Sequence, residues 1–289
     1  MQIVTDSGTD LCLPAEEVEK LNIHVLPLVL TLEGKSYREG VDITAEDFYE
    51  LLAATGSFPS TSMPSPGDFT ETYKRLATAD PDILSVHMSS GLSGTVNSAR
   101  VAAESVSEAN ITVVDTKTLS ATAGWQVAAA ARAIKAGWKK EQILSLIERI
   151  SAASDCMFTL NDLKYLIHGG RIGHMKGLIA SLLNIRPVIG VEKVKGTYVQ
   201  MGQTRTFKRA VEGLVDLIAR KHAPGSALRA QVLHALNPEG AGMLRELIDK
   251  RFACNWLPTS HLSLVLGAHT GTSMVGVAFA PATAFADMP

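Results

Sequence analysis

At 289 residues, with 46% hydrophobic and 19% charged side chains, the chain is long enough for two domains and apolar enough to bury a large core, which excludes a disordered protein. Its 27 basic residues against 29 acidic ones leave a net charge of -2, so no basic excess points to nucleic acid or to an anionic membrane. Three widely spaced cysteines (Cys12, Cys156, Cys254), the absence of a signal-peptide pattern and of any apolar run long enough to span a bilayer imply reduced packing thiols in a cytoplasmic protein.

In chain order, three short apolar runs, IVT at 3–5, ILSVHM at 83–88 and ITVVD at 111–115, each end in small polar residues and lead toward helical patterns. This alternation predicts a parallel α/β sheet. Between the first two, HVLPLVLTLEGKSYREGVDI at 24–43 alternates about an EGK turn, as expected of a hairpin at the rim of the sheet rather than a central strand. Thr44 with Asp47, and Ser65 with Pro66 and Asp68, mark two helix starts and place the loop SFPSTSMPS just before the second. A long alanine-rich helix from about Ser120 is expected to stop at Gly137, and SLIERI carries a further helix toward residue 155.

Beyond that point the pattern changes to an α+β layer with a mixed or antiparallel sheet, which gives two domains, 1–155 and 156–289. CMFTL reads as a strand, NDLKYLIHGGRIGHMKGLIASLL as two helices broken at Gly169 and Gly170, and PVIGVEKVKGTYVQMGQT as a hairpin turning at Lys195 and Gly196. There follow helix FKRAVEGLVDLIARK, strand ALRAQVLHAL, helix PEGAGMLRELIDKRF, strand HLSLVLGAHT and closing strand SMVGVAFA.

The chemistry concentrates in serine- and threonine-rich loops. HMSSGLSGTVNSA at 87–99 comes within one residue of a G-x-S-x-G nucleophile elbow, with Thr95 in place of the second glycine. A hydrolase using Ser93 would need a base, for which Asp115 and His269 are in the right chain order. No Walker or dinucleotide fingerprint is present, and the histidines show no metal-ligand spacing, so no nucleotide cofactor or metal is expected. Ser93 at the start of a helix, with backbone N–H groups and the positive end of the helix dipole beside it, also suits a bound anion, although serine there is equally an ordinary helix cap. Thr61 and Ser62 offer a second donor loop, and Thr5-Asp6-Ser7 a third that is equally well read as a plain Asx turn. Met63 and Met88 flank these loops.

Six spaced motifs together resemble the DegV family: TDSGTDL at 5–11, STSMPS at 60–65, SSGLSGTVNSA at 89–99, VVDTKTLSATAG at 113–124, LKYLIHGGRIG at 163–173 and GAHTGTSMVG at 267–276. Departures are confined to Gly8 and Thr9, where Ser-Thr or Thr-Ala is usual, and Thr116, where serine is common. The resemblance implies two α/β domains enclosing a long-chain fatty acid, in a substrate-presenting protein that is not itself the enzyme. Its partner would be a separate ATP-dependent fatty acid kinase subunit that converts the acid to an acyl phosphate for phospholipid synthesis, with only transient membrane contact. By family position the carboxylate ligands would be Thr61, Ser93, Gly94 through its backbone, His269 and Arg205, with Ser62, Thr270 and Arg171 as additional site or partner contacts. A carrier of another amphipathic carboxylic acid is the neighbouring alternative.

Overall fold

The computed structural model describes residues 1–173, 175 and 185–289. The first half runs β1 (Gln2–Asp6), α1 (Ala15–Lys20), β2 (Ile23–Leu26), β3 (Val29–Leu32), β4 (Lys35–Arg38), α2 (Ala45–Thr55), β5 (Ser60–Ser62), α3 (Pro66–Ala77), β6 (Asp82–His87), α4 (Thr95–Ser105), β7 (Asn110–Asp115), α5 (Ser120–Lys135) and α6 (Lys140–Ala153). Strands β2, β1, β6 and β7 form a parallel sheet in that order, the α/β layer that the three apolar runs predict. Thr44 and Ser65 both cap as expected, Ser65 in a complete capping box with Asp68 and with Pro66 at the first helical position.

The segment 24–43 corrects the simple hairpin expectation. Its first residues continue β2, an edge strand parallel to β1, and only β3 and β4 form the hairpin. The turn is at Glu33 and Gly34, whose φ values of 51° and 75° suit the tight turns that match strand twist. β5 adds to the other side of β3, so a small β4–β3–β5 sheet brings Thr61 to the rim of the main sheet.

The second half contains β8 (Asp155–Thr159), α7 (Lys164–His168), β9 (Arg186–Val191), β10 (Tyr198–Thr204), α8 (Phe207–Lys221), β11 (Ala227–His234), α9 (Pro238–Asp249), β12 (Ala253–Trp256), β13 (Ser260–His261), α10 (Leu264–Thr270) and β14 (Val275–Pro281). Its mixed sheet follows the order β10–β9–β8–β14–β11–β12, with β13 also on β11. The β9–β10 hairpin turns at Gly196 (φ 68°) as expected. The second helix expected after Gly170 falls mainly outside the described residues. HLSLVLGAHT differs from expectation: residues 264–270 are helical, so His269 sits in the last turn of a helix and not at a strand end.

Helix α5 explains how the two sheets join. Its sequence SATAGWQVAAAARAIK is apolar around nearly the whole circumference, as a helix buried on all sides must be. It packs on β1 and β6 of one sheet and on β8 and β14 of the other. Small side chains permit the close approach: a Cβ on Gly124 would lie 2.3 Å from the Asp10 carbonyl oxygen. One hydrophobic cluster therefore runs from Ile3 and Val86 through Trp125 to Phe158, Ile189 and Leu233. α3 and α4 cover the outer face of the first sheet, and α8 and α9 that of the second. Among the described residues no helix is long and apolar enough to cross a membrane.

Candidate functional site

Beyond the carboxyl end of β6, a narrow chamber is lined by Leu28, Thr61, Met88, Leu92, Ser93, Arg171, Tyr198, Val265, Leu266 and His269. Open α/β sheets place ligands at this end, where strand ends and helix amino termini converge. Thr61 faces inward from β5 while the neighbouring Ser62 is exposed, the alternation of a strand. Thr61 Oγ1 lies 2.9 Å from His269 Nε2, joining residues 208 positions apart.

Ser93 immediately precedes the Gly94 N-cap of α4, whose first-turn N–H groups are the free donors a helix leaves at its start. Its Oγ lies 2.8 Å from Thr95 Oγ1 and accepts weakly from the Thr95 N–H at 3.3 Å. Gly94 is overlaid by Met63, whose Cε would stand 3.0 Å from an added Cβ. The loop is anchored from the other half of the chain: Ser89 Oγ donates to the Gly196 carbonyl at 2.8 Å, and a Cβ on Gly91 would strike the Lys195 carbonyl at 2.3 Å.

His269 is buried, with 7% of its surface exposed, and its Nδ1 has no hydrogen-bond partner among the described residues. Burial, with Arg171 and His168 beside it, lowers its pKa from 6.5 to about 4, so the imidazole is neutral at neutral pH. Gly169 leaves room for this ring, since a Cβ there would fall 2.0 Å from Nδ1. Arg171, just beyond, donates to the Gly169 carbonyl at 2.6 Å and lines the chamber. Neutral donors and one guanidinium thus face a small enclosed space, a combination suited to a carboxylate.

The chamber adjoins a second one through their shared residues Tyr198 and Leu266. Its walls come from Leu119, Ser120, Cys156, Met157, Phe158, Leu233, Leu262, Thr270 and Met274, with the β14 segment 276–278. Few polar atoms face this space freely: Ser120 Oγ donates to Asp10 at 2.7 Å, and Thr270 Oγ1 donates to the Leu266 carbonyl at 3.2 Å. Thr270 therefore belongs to the apolar wall. A polar chamber thus lies against an apolar one within the continuous core.

Several expectations are corrected. Arg205 is exposed at the β10–α8 junction and lines neither chamber. The hydrolase constellation is not assembled: His269 Nε2 is engaged by Thr61, Ser93 Oγ by Thr95, and Asp115 pairs with Lys117 at 2.8 Å and accepts the Ser90 N–H. The Thr5-Asp6-Ser7 loop does not line the first chamber. Asp6 accepts from the Gly8 and Met88 N–H groups and bonds His87 at 2.9 Å, and His87 reaches Ser85 at 2.6 Å, a fully buried network that pins the ends of β1 and β6. All three cysteines are unpaired and half-buried. Sequence reasoning missed Tyr198 and Leu266, the residues common to both chambers; the only local signal was Tyr198's place two residues after the Gly196 turn.

A family model described as "Uncharacterised protein, DegV family" matches residues 1–282. A DegV domain-containing protein of Deinococcus radiodurans is 35% identical over 98% of this chain and 99% of its own length. Another, from Listeria innocua, is 32% identical over 95% of this chain and 96% of its own. The solved structure of a fatty-acid-binding DegV family protein from Thermus thermophilus superposes with a TM-score of 0.86 at 30% identity, covering 97% of this chain and 99% of that one. DegV of Bacillus subtilis, described as a fatty acid binding protein, gives 0.85 at 29% identity, covering 97% and 98%.

Proposed function

Because the chain belongs to the DegV family, we propose that it binds a long-chain fatty acid, with the carboxylate in the Thr61–Ser93–His269 chamber and the acyl chain in the adjoining apolar one. The observation that carries this reading is that a polar-lined and an apolar-lined chamber lie side by side with Tyr198 and Leu266 in both walls, since an amphipathic acid needs both environments next to each other. A sixteen-carbon chain has about fourteen methylenes, and at ~0.8 kcal/mol each their burial supplies roughly 11 kcal/mol before the cost of association. The head group then has a smaller task. Thr61, Ser93, the Gly94 amide and the His269 imidazole offset the desolvation of the carboxylate, and Arg171 supplies its counter-charge, the role that family position gave to Arg205.

The protein in this reading presents its cargo and leaves the chemistry to others. A separate ATP-dependent fatty acid kinase phosphorylates the carboxylate to an acyl phosphate destined for phospholipid synthesis, and no cofactor is needed on this chain. Mass spectrometry of lipid extracted from the purified protein tests the first step. A saturated or unsaturated fatty acid at near one equivalent is expected, and a different amphipathic acid would redirect the assignment. With kinase and ATP added, Ser93→Ala and Thr61→Ala are expected to slow acyl-phosphate formation more than they weaken lipid retention, because the apolar chamber supplies most of the affinity.

A further inference from the structure

Helix α10 contributes Val265, Leu266 and His269 to the head chamber, so whatever fixes this seven-residue helix fixes one wall of the site. Its own N-cap residue does not: Ser263 makes no capping bond, and its buried hydroxyl has no partner among the described residues. The cap comes instead from Glu39, just after β4 and 225 positions away, whose Oε1 accepts the Leu264 N–H. The other carboxylate oxygen accepts from Ser7 Oγ at 2.6 Å, and Ser7 Oγ in turn accepts the Leu28 N–H at 3.0 Å. One carboxyl group therefore ties the β1 loop and, through Ser7, the approach to β3 to the amino end of α10.

We propose that Glu39 is a positioning residue for the head-group site, holding α10 so that His269 at its far end meets Thr61. The inference rests on the fatty-acid reading given above. At 1.5 Å rise per residue, the helix puts His269 roughly 8 Å from the Glu39 contact, about a turn and a half away, too short a distance for an error in placement to be absorbed. Burial raises the Glu39 pKa to about 7, and in its ionised form the carboxylate also complements the helix dipole. Tyr49 OH secures the segment leading into the helix by donating to the Leu262 carbonyl at 2.9 Å, but it leaves the helix's own first N–H to Glu39.

The test compares palmitate with hexadecanol, which has the same chain and no carboxylate, by displacement of a fluorescent polyene fatty acid from the full-length protein. Wild type is expected to prefer palmitate. Glu39→Ala should lose about tenfold in palmitate affinity, the scale of a lost helix cap, while hexadecanol changes by less than about twofold. Glu39→Gln, which keeps an acceptor oxygen for the Leu264 N–H, should restore most of the loss. Should Glu39→Ala fail to fold, Ser7→Ala leaves the cap in place but removes the hydroxyl that orients it, and should give the same split at about threefold. Equal losses of both ligands would mark a merely structural role and overturn the proposal. A wild-type preference left intact by Glu39→Ala and Ser7→Ala would overturn the role of Glu39 alone. If wild type shows no preference for the acid, the head-group reading fails and this proposal with it.

Discussion

Thr61, Ser93 and His269 are unremarkable as single residues. A threonine before a helix, a serine at a helix start and a histidine in an apolar run each have an ordinary structural use, and nothing local records that the chain folds them together. The family resemblance supplied that grouping, and the structure supplies the chemistry: burial leaves His269 neutral, with a pKa of about 4, and Nδ1 without a partner among the described residues. A carboxylate beside the ring would raise that pKa back toward its ordinary value of 6.5. Bound protein then carries more protons than free protein between about pH 4 and 6.5, so binding takes up protons and this contribution to affinity grows as pH falls through the window. Calorimetry near pH 5.5 in two buffers of different ionisation enthalpy should show proton uptake that His269→Gln abolishes. Arg171 and Arg205 show the limit of local reading, because both lie just beyond a turn or strand end and only placement sends one into the chamber and the other to solvent.

Most helices and strands were legible because their signals are local: capping pairs at Thr44 and Ser65, alternation about the Glu33–Gly34 turn, and a glycine at the end of α5. α10 was not. LSLVLGA is a continuous apolar run, and such a run fits a buried strand or a buried helix equally well. Gly267 is unfavourable within a helix. Its reason is tertiary, since a Cβ at that position would lie 2.1 Å from Tyr49 Oη and 2.5 Å from Tyr49 Cε1. Helix propensity alone would make Gly267→Ala stabilising by about 1 kcal/mol. Tyr49 is fully buried and its hydroxyl is bonded to Leu262, so the overlap should dominate and give a net loss of roughly 1–3 kcal/mol. The shift in denaturant midpoint gives the sign directly.

Across the whole molecule, alternating apolar runs and helices were enough to read the parallel sheet, and the change of pattern near residue 155 coincides with the start of β8 and the second sheet. What sequence patterning cannot convey is how two sheets share one core, which depends on α5 being narrow enough to lie between them. Because that core is continuous from Ile3 to Leu233, ligand binding should stabilise the molecule as a unit. At a free ligand concentration one hundred times Kd, the gain is about 2.7 kcal/mol, or a rise in Tm of roughly 4–5 °C in a single transition. Thermal melts of delipidated protein with and without palmitate check this, and two transitions, one of them insensitive to palmitate, would contradict it.

The contact between Thr61 and His269 spans 208 positions of the chain. During synthesis Thr61 leaves the ribosome long before His269. A chain still lacking His269 thus has the serine and threonine loops but not the assembled polar chamber. In the fatty-acid reading proposed above, the head group is held only once Thr61 and His269 have met, so bound cargo would report that these distant parts of the chain have folded together.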